Sequence, residues 1–274
     1  MIVVTGATGN IGRTLVRALV AGGEQVTAVS RRISAADVPA GVRHVRADLV
    51  EPESLKPALD GAEALFLLTS AEFLANGNIE DVVTVVRAVG VRRVVLLSSQ
   101  GVGTRRHPSD LEDAVKQSGL EWTVLRPGNF DSNTLHWADS VRAQRVVTAP
   151  FGAVALPAVD PDDIAEVAAV ALREPGHGGA VYTLTGPEPI SPRQQAAAIG
   201  DALGEPVRFV EQSREEARAQ MVQYMPEPVV EATLGILGTP SSDEQRVSPD
   251  VERVLGRPAG TFAEWAARNV AAFK

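Results

Sequence analysis

Residues 1–12 read MIVVTGATGNIG, and this stretch decides the fold. MIVVT is short and wholly apolar up to its threonine, as a buried strand requires. Ile11, Leu15, Ala18 and Leu19 then recur at helical spacing until Gly22 and Gly23 stop the helix. Between strand and helix lies G-x-x-G-x-x-G, formed by Gly6, Gly9 and Gly12. A glycine at the first position lets the chain turn sharply off the strand. One at the second leaves no side chain between the backbone and a pyrophosphate, and one at the third lets the helix pack closely. The helix start presents backbone N–H groups and a partial positive charge to phosphate. Strand, glycine turn and helix in this order predict a dinucleotide site made by Gly6, Ala7, Thr8, Gly9, Asn10, Ile11 and Gly12.

The pattern continues outward from that turn. QVTAVS, VRHVRAD, EALFLLTS, RRVVLLSS and EWTVLRP read as further strands separated by helical stretches. One of those helices is capped by Asn78 and carries Ile79, Val82, Val83 and Val86 on one face. Apolar strands alternating with helices define an α/β fold, a Rossmann-type doubly wound parallel sheet. After Pro150 the rhythm changes to helix starts at Asp160-Pro161, Ser191-Pro192, Ser248-Pro249 and Thr261, joined by Pro- and Gly-rich segments. The expected organisation is a nucleotide-binding domain at 1–150 and a smaller, mostly helical substrate lobe at 151–274. The stretch AVYTLTG (180–186) is expected to return to the main sheet as a strand.

Composition narrows the function. A net charge of −8 argues against a nucleic-acid surface, which needs clustered Lys and Arg. The chain has no cysteine, which excludes disulfides, thiolate metal sites and a Cys nucleophile. No His, Asp and Glu cluster has metal-ligand spacing, and Gly-x-Ser-x-Gly is absent. Without an apolar run long enough to span a bilayer, and with a strand starting at Ile2, a cytoplasmic protein with no membrane partner is expected.

The end of the second strand identifies the dinucleotide. An Asp or Glu there holds the 2′-hydroxyl of NAD. This sequence has Ser30, Arg31 and Arg32 instead. A guanidinium forks onto phosphate, so the cofactor expected is NADP(H).

TGATGNIG, RADL, LLSS, GLEWTVLRPGNF and VDPDDIAEVAAVAL occur in that order, and VYTLTGPEPIS and GRPAGTFAEWAARNVAAF follow them. Together they resemble the NmrA-like branch of the atypical short-chain dehydrogenase/reductases, through nearly the whole chain. Relatives in that branch include quinone reductases, dye reductases, ketoreductases and redox-sensing regulators without turnover. The resemblance implies that Asp48 and Leu49 flank the adenine and that Leu68, Thr69 and Ser70 border the ribose. It also implies that Pro127, Gly128, Asn129 and Phe130 line the nicotinamide end.

Typical members of the superfamily use Tyr-x-x-x-Lys after the fifth strand. Here the only tyrosines are Tyr182 and Tyr224, and neither is followed by Lys four positions on. Setting Glu112 at the position of a family glutamate puts Thr104 and Pro108 where the Tyr and Lys belong, and neither can replace them. The residues left to orient a reacting group are Ser98, Ser99, Thr104 and Asn129. Which serine faces the cleft depends on strand alternation. Gln100, Phe130, His136, Trp137 and Phe151 are the candidate substrate contacts, and His107 lies in the same loop as Thr104. Ser109 and Glu112 have capping-box spacing, which expects Glu112 at a helix start and Lys116 one turn later in an exposed pair. Two function classes follow. One is an NADPH-dependent reductase of a quinone or an aromatic or polycyclic ketone. The other is a non-catalytic NADP-binding redox sensor.

Overall fold

A computed structural model describes residues 1–274. Its strands are β1 (Ile2–Thr5), β2 (Val26–Ser30), β3 (Arg43–Arg46), β4 (Ala64–Leu67), β5 (Arg93–Leu97), β6 (Glu121–Pro127), β7 (Val146–Pro150), β8 (Ala180–Leu184) and β9 (Arg208–Gln212). Seven of them form one sheet in the order β3-β2-β1-β4-β5-β6-β8. The pairings of β1 with β2 and β4, β2 with β3, and β5 with β4 and β6 are all parallel. The strand expected at 180–186 therefore does return to the main sheet, beside β6.

The central strands β1, β4 and β5 are buried on both faces, which is why they read as continuous apolar runs. Val3, Leu65, Val94, Leu96 and Val124 pack in one core with Val82, Val83 and Val86 of the helix Ile79–Ala88 and with Val115 of the helix Asp110–Gln117. Asn78 caps the first of these helices by accepting the Glu80 N–H. The helices Asn10–Ala21 and Pro161–Arg173 pack against each other, and both also contact the sheet. Thr14 Oγ1 donates to Asp162 Oδ1 across that helix pair at 3.0 Å. Strand order reverses at β1, whose neighbours are β2 and β4. Ligands of open α/β sheets bind outside the carboxyl ends of the strands at such a point.

The chain divides into two compact units, but not at 150. The first comprises Met1–Pro127, Pro161–Thr183 and Arg253–Gly256. The second comprises Gly128–Asp160, Leu184–Glu252 and Arg257–Lys274. The expected boundary moves because β7 leaves the main sheet and pairs in parallel with β9, so residues 128–150 fold with the later chain. The second unit is thus helical around a two-stranded ribbon. Trp137, Val141, Val147, Ile199, Phe262, Trp265 and Phe273 share its main core. Capping boxes at Ser191/Gln194, Ser213/Glu216 and Thr261/Glu264 start three of its helices. No helix is long and apolar enough to cross a membrane.

Candidate functional site

The glycine turn joins β1 to the helix Asn10–Ala21 at the carboxyl edge of the sheet. Gly6 has φ 63°, in the left-handed region that favours glycine, and a Cβ there would lie 2.8 Å from the Leu68 side chain. At Gly12 a Cβ would overlap the Gly6 carbonyl oxygen and stand 2.8 Å from Ala7 Cα. Gly9 is the helix N-cap; no side chain caps the helix there, and its first turn carries no acid. The turn is therefore a cradle that side chains would fill, with no built-in anion at the helix start. The Ala7 N–H is spent on Val29 and the Gly9 N–H on Gly6, so Thr8, Asn10 and Ile11 are the residues of the turn whose main chain would hold a pyrophosphate, and the turn fits a dinucleotide.

Neighbouring loops are tied to this turn. Thr5 Oγ1 donates toward the Phe66 and Leu68 carbonyls, each at 3.1 Å, and the Leu68 N–H reaches Thr5 Oγ1 at 2.8 Å. Thr8 Oγ1 and Ser30 Oγ share a hydrogen bond of 3.1 Å, and the Ala7 N–H donates to the Val29 carbonyl. The ends of β1, β2 and β4 are thereby brought together, with Leu68 against Gly6 and Thr69 and Ser70 following it in the chain. Ser70 caps the helix Ala71–Asn76 by accepting the Phe73 N–H. Arg31 and Arg32 are exposed at the end of β2, and Arg31 forms an ion pair with Glu72. Asp48 sits in a tight turn after β3, where its carboxylate accepts the Val50 N–H, while Leu49 packs on the sheet core.

The carboxyl end of β5 departs from expectation. Glu112 does not cap its helix: Ser109 makes no side-chain cap and bonds Asp113 instead. The Glu112 side chain is 1% exposed, and three side chains converge on it. Oε1 accepts from Ser98 Oγ at 2.6 Å and Arg126 Nε at 2.8 Å, and Oε2 from Arg126 Nη2 at 2.6 Å and Lys116 Nζ at 2.7 Å. Burial raises its pKa, but the bonds from Arg126, Lys116 and Ser98 outweigh that and hold it at about 2. The exposed Glu112–Lys116 pair expected from the sequence is a buried network in the structure. The Arg126 guanidinium forks onto the carboxylate, a stronger arrangement than an exposed cap. Arg126 is the member that sequence reasoning missed. Its signal was a lone charge following the apolar run TVL (123–125), just before Pro127.

Ser98 is therefore committed to Glu112, and Ser99 accepts the Gly101 N–H at 3.1 Å. Gln100 begins the short helix Gln100–Gly103. Thr104 Oγ1 lies 3.4 Å from the Gly101 carbonyl, and His107 is exposed beside Gly101. Neither tyrosine stands here. Tyr182 is on β8, bonded to His177 Nδ1 at 2.8 Å, and Tyr224 is 68% exposed in the second unit.

The chain passes from the first unit to the second between Pro127 and Gly128. In the second, Asn129 and Phe130 run beside Val159, whose N–H donates to the Asn129 carbonyl at 2.8 Å. Asn133 Nδ2 donates to Asn129 Oδ1 at 2.6 Å, and the Asn133 carbonyl meets His136 Nδ1. The His136 ring keeps an exposed face, yet partial desolvation lowers its pKa, with the Asn133 carbonyl acting the other way. Trp137, expected as a substrate wall, is 6% exposed in the apolar core because the turn at 131–137 directs it inward. Phe151 adopts φ 55° and packs on the cluster of Ala217, Val230 and Leu234.

Residues 6–175 match the NAD(P)H-binding family. The (4-alkanoyl-5-oxo-2,5-dihydrofuran-3-yl)methyl phosphate reductase of Streptomyces griseus is 38% identical, over 100% of this chain and 99% of its own. The NAD(P)H azoreductase of Xenophilus azovorans is 34% identical over 100% of this chain and 99% of its own. Among solved structures, the NADPH-dependent quinone oxidoreductase of Escherichia coli complexed with NADPH superposes with a TM-score of 0.81. It is 25% identical, with 98% of this chain and 99% of that one covered. The chain belongs to the NAD(P)H-binding family. It is an NAD(P)H-dependent oxidoreductase.

Proposed function

We propose that this protein uses NADPH to reduce a quinone or an aromatic or polycyclic ketone by hydride transfer, without a Tyr–Lys pair. The observation that carries the reading is the end of β5. It holds no tyrosine, and the lysine of the following helix is spent on the buried Glu112. When bound, the reduced nicotinamide supplies the hydride. An acceptor that must be served without an enzyme acid is one that delocalises the incoming electron pair and takes its proton from water. Quinones and conjugated carbonyl compounds do so. Relatives named for reducing a quinone, an azo compound and an unsaturated furanone phosphate support the same class.

In this reading the glycine turn holds the pyrophosphate, and Arg31 and Arg32 take the 2′-phosphate. The first unit offers Ser99 and Thr104 to orient an acceptor and Gln100 to contact it; the candidates of the second unit are Asn129 for orientation and Phe130 and His136 for contact. Ser98 acts indirectly, through Glu112. The test is steady oxidation of NADPH with a panel of naphthoquinones, aryl ketones, azo dyes and butenolides. Turnover with conjugated acceptors is expected. Tight binding of NADP and NADPH with different affinities and no turnover across the panel would favour the sensor.

The cofactor choice has its own test. A charge-assisted hydrogen bond to phosphate is worth about 1.5–3 kcal/mol, so Arg31→Ala with Arg32→Ala should weaken NADPH binding at least ~10-fold. NADH affinity should hardly change. Equal weakening of both cofactors in a binding titration would overturn the assignment.

A further inference from the structure

The guanidinium assigned to the 2′-phosphate already has an anion. Arg31 at the end of β2 is ion-paired with Glu72, in the first turn of the helix after β4. Glu72 is held in place by its neighbours. Ser70 caps the helix, Phe73 is 1% exposed in the core, and Leu68 is bonded to Thr5 under the glycine turn. The Ser30–Thr8 bond fixes the other side. The backbones carrying Arg31 and Glu72 are thus anchored to one nucleotide cradle, while the paired side chains are 46% and 54% exposed and free to reorganise.

We propose that Glu72 is a specificity-determining residue that occupies Arg31 until a 2′-phosphate displaces it, and so limits the preference for NADPH over NADH. The proposal rests on the assignment of Arg31 to the 2′-phosphate. A carboxylate and a phosphate monoester compete for one guanidinium, and the phosphate, with more charge and three acceptor oxygens, wins it. NADH carries a hydroxyl at that position and has no means of opening the pair. The cost of opening falls on NADPH alone. It is small, because exposed ion pairs are weak.

The experiment compares the unaltered protein, Glu72→Gln, Arg31→Ala and the double variant. Direct binding titrations use NADPH, NADH, adenosine 2′,5′-bisphosphate and AMP at low ionic strength. Removing an exposed competing charge should tighten NADPH and the bisphosphate about two- to five-fold, with NADH and AMP unchanged. In the Arg31→Ala background most of that gain should vanish, and salt should shrink it in the unaltered background. Unchanged or weaker NADPH binding in Glu72→Gln would overturn the proposal while Arg31→Ala still weakens NADPH. A gain of equal size without Arg31 would also overturn it, because Glu72 would then act by repulsion alone. An unchanged NADPH-to-NADH ratio in Arg31→Ala marks instead the failure of the 2′-phosphate assignment. Thermal unfolding of each variant confirms that an exposed pair has been altered and not the fold.

Discussion

Glu112→Gln is expected to lower folding stability by about 3–5 kcal/mol, the cost of breaking a buried, fully paired charge. Both carboxylate oxygens are loaded: Arg126 bonds to each, Ser98 to one and Lys116 to the other. A glutamine keeps the volume but aims an amide NH2 at two cations, and Arg126 and Lys116 are left with unmatched charge. The same network makes the protein acid-sensitive. Glu112 is held at about 2, against an ordinary glutamate value of 4.5. A depressed carboxyl contributes its stability fully above the unfolded pKa and loses it as pH falls toward the folded one. With ~1.4 kcal/mol per pKa unit, this single group accounts for about 3 kcal/mol at neutral pH. Urea unfolding at pH 7 should show the deficit in Glu112→Gln. The gap between the two proteins should close as pH is lowered from about 4.5 toward 2. A variant within ~1 kcal/mol of the parent at pH 7 would mean that the network contributes nothing to stability.

That network also marks the limit of what sequence can reveal. The glycine turn, the apolar strands and the return of β8 were legible because each is a local pattern, and the central strands β1 and β4 are buried along their whole length. Ser109 and Glu112 formed a local pattern as well, and it misled. Nothing in S-x-x-E announces that β5 and β6 will end side by side, with Leu97 in register with Leu125, and so deliver Ser98 and Arg126 to the same carboxylate. The domain boundary failed for the same reason. Val146–Pro150 has its partner at Arg208–Gln212, far along the chain, and that partner, RFVEQ, has only two apolar residues and no strand-like alternation. The places of the glycines between β1 and its helix, and of Arg31 at the end of β2, were readable from the βα pattern. Glu72 was not, because its meaning comes from the lateral adjacency of β2, β1 and β4. Trp137 illustrates the converse case, an aromatic in a suggestive place that the turn 131–137 spends on packing.

The last expected result separates two uses of glycine in the same turn. Gly9 sits at φ −82° and ψ 177°, extended backbone that any residue adopts, and a Cβ there would meet only the Gly6 carbonyl oxygen, at 3.3 Å. Nothing in the fold demands a glycine at this position; in the proposed reading the open space serves the ligand. Gly9→Val should therefore fold, at a cost of about 1 kcal/mol for a poor N-cap. Its branched side chain should fill the space over the first helical turn. Denying the phosphates two charge-assisted hydrogen bonds of about 1.5–3 kcal/mol each weakens NADPH by roughly 10²–10⁴. Gly12 has the opposite role. Its missing Cβ is claimed by main chain, the Gly6 carbonyl and Ala7 Cα, and neither can turn aside as a side chain would. Gly12→Val must push the helix Asn10–Ala21 off β1, with overpacking of about 1–3 kcal/mol or more, so stability and NADPH binding fall together. Thermal unfolding without cofactor and an NADPH titration on the same samples make the comparison. NADPH bound by Gly9→Val within about three-fold of the parent would show that the pyrophosphate does not lie over Gly9. A Gly12→Val variant as stable as the parent would show that the helix has room to move.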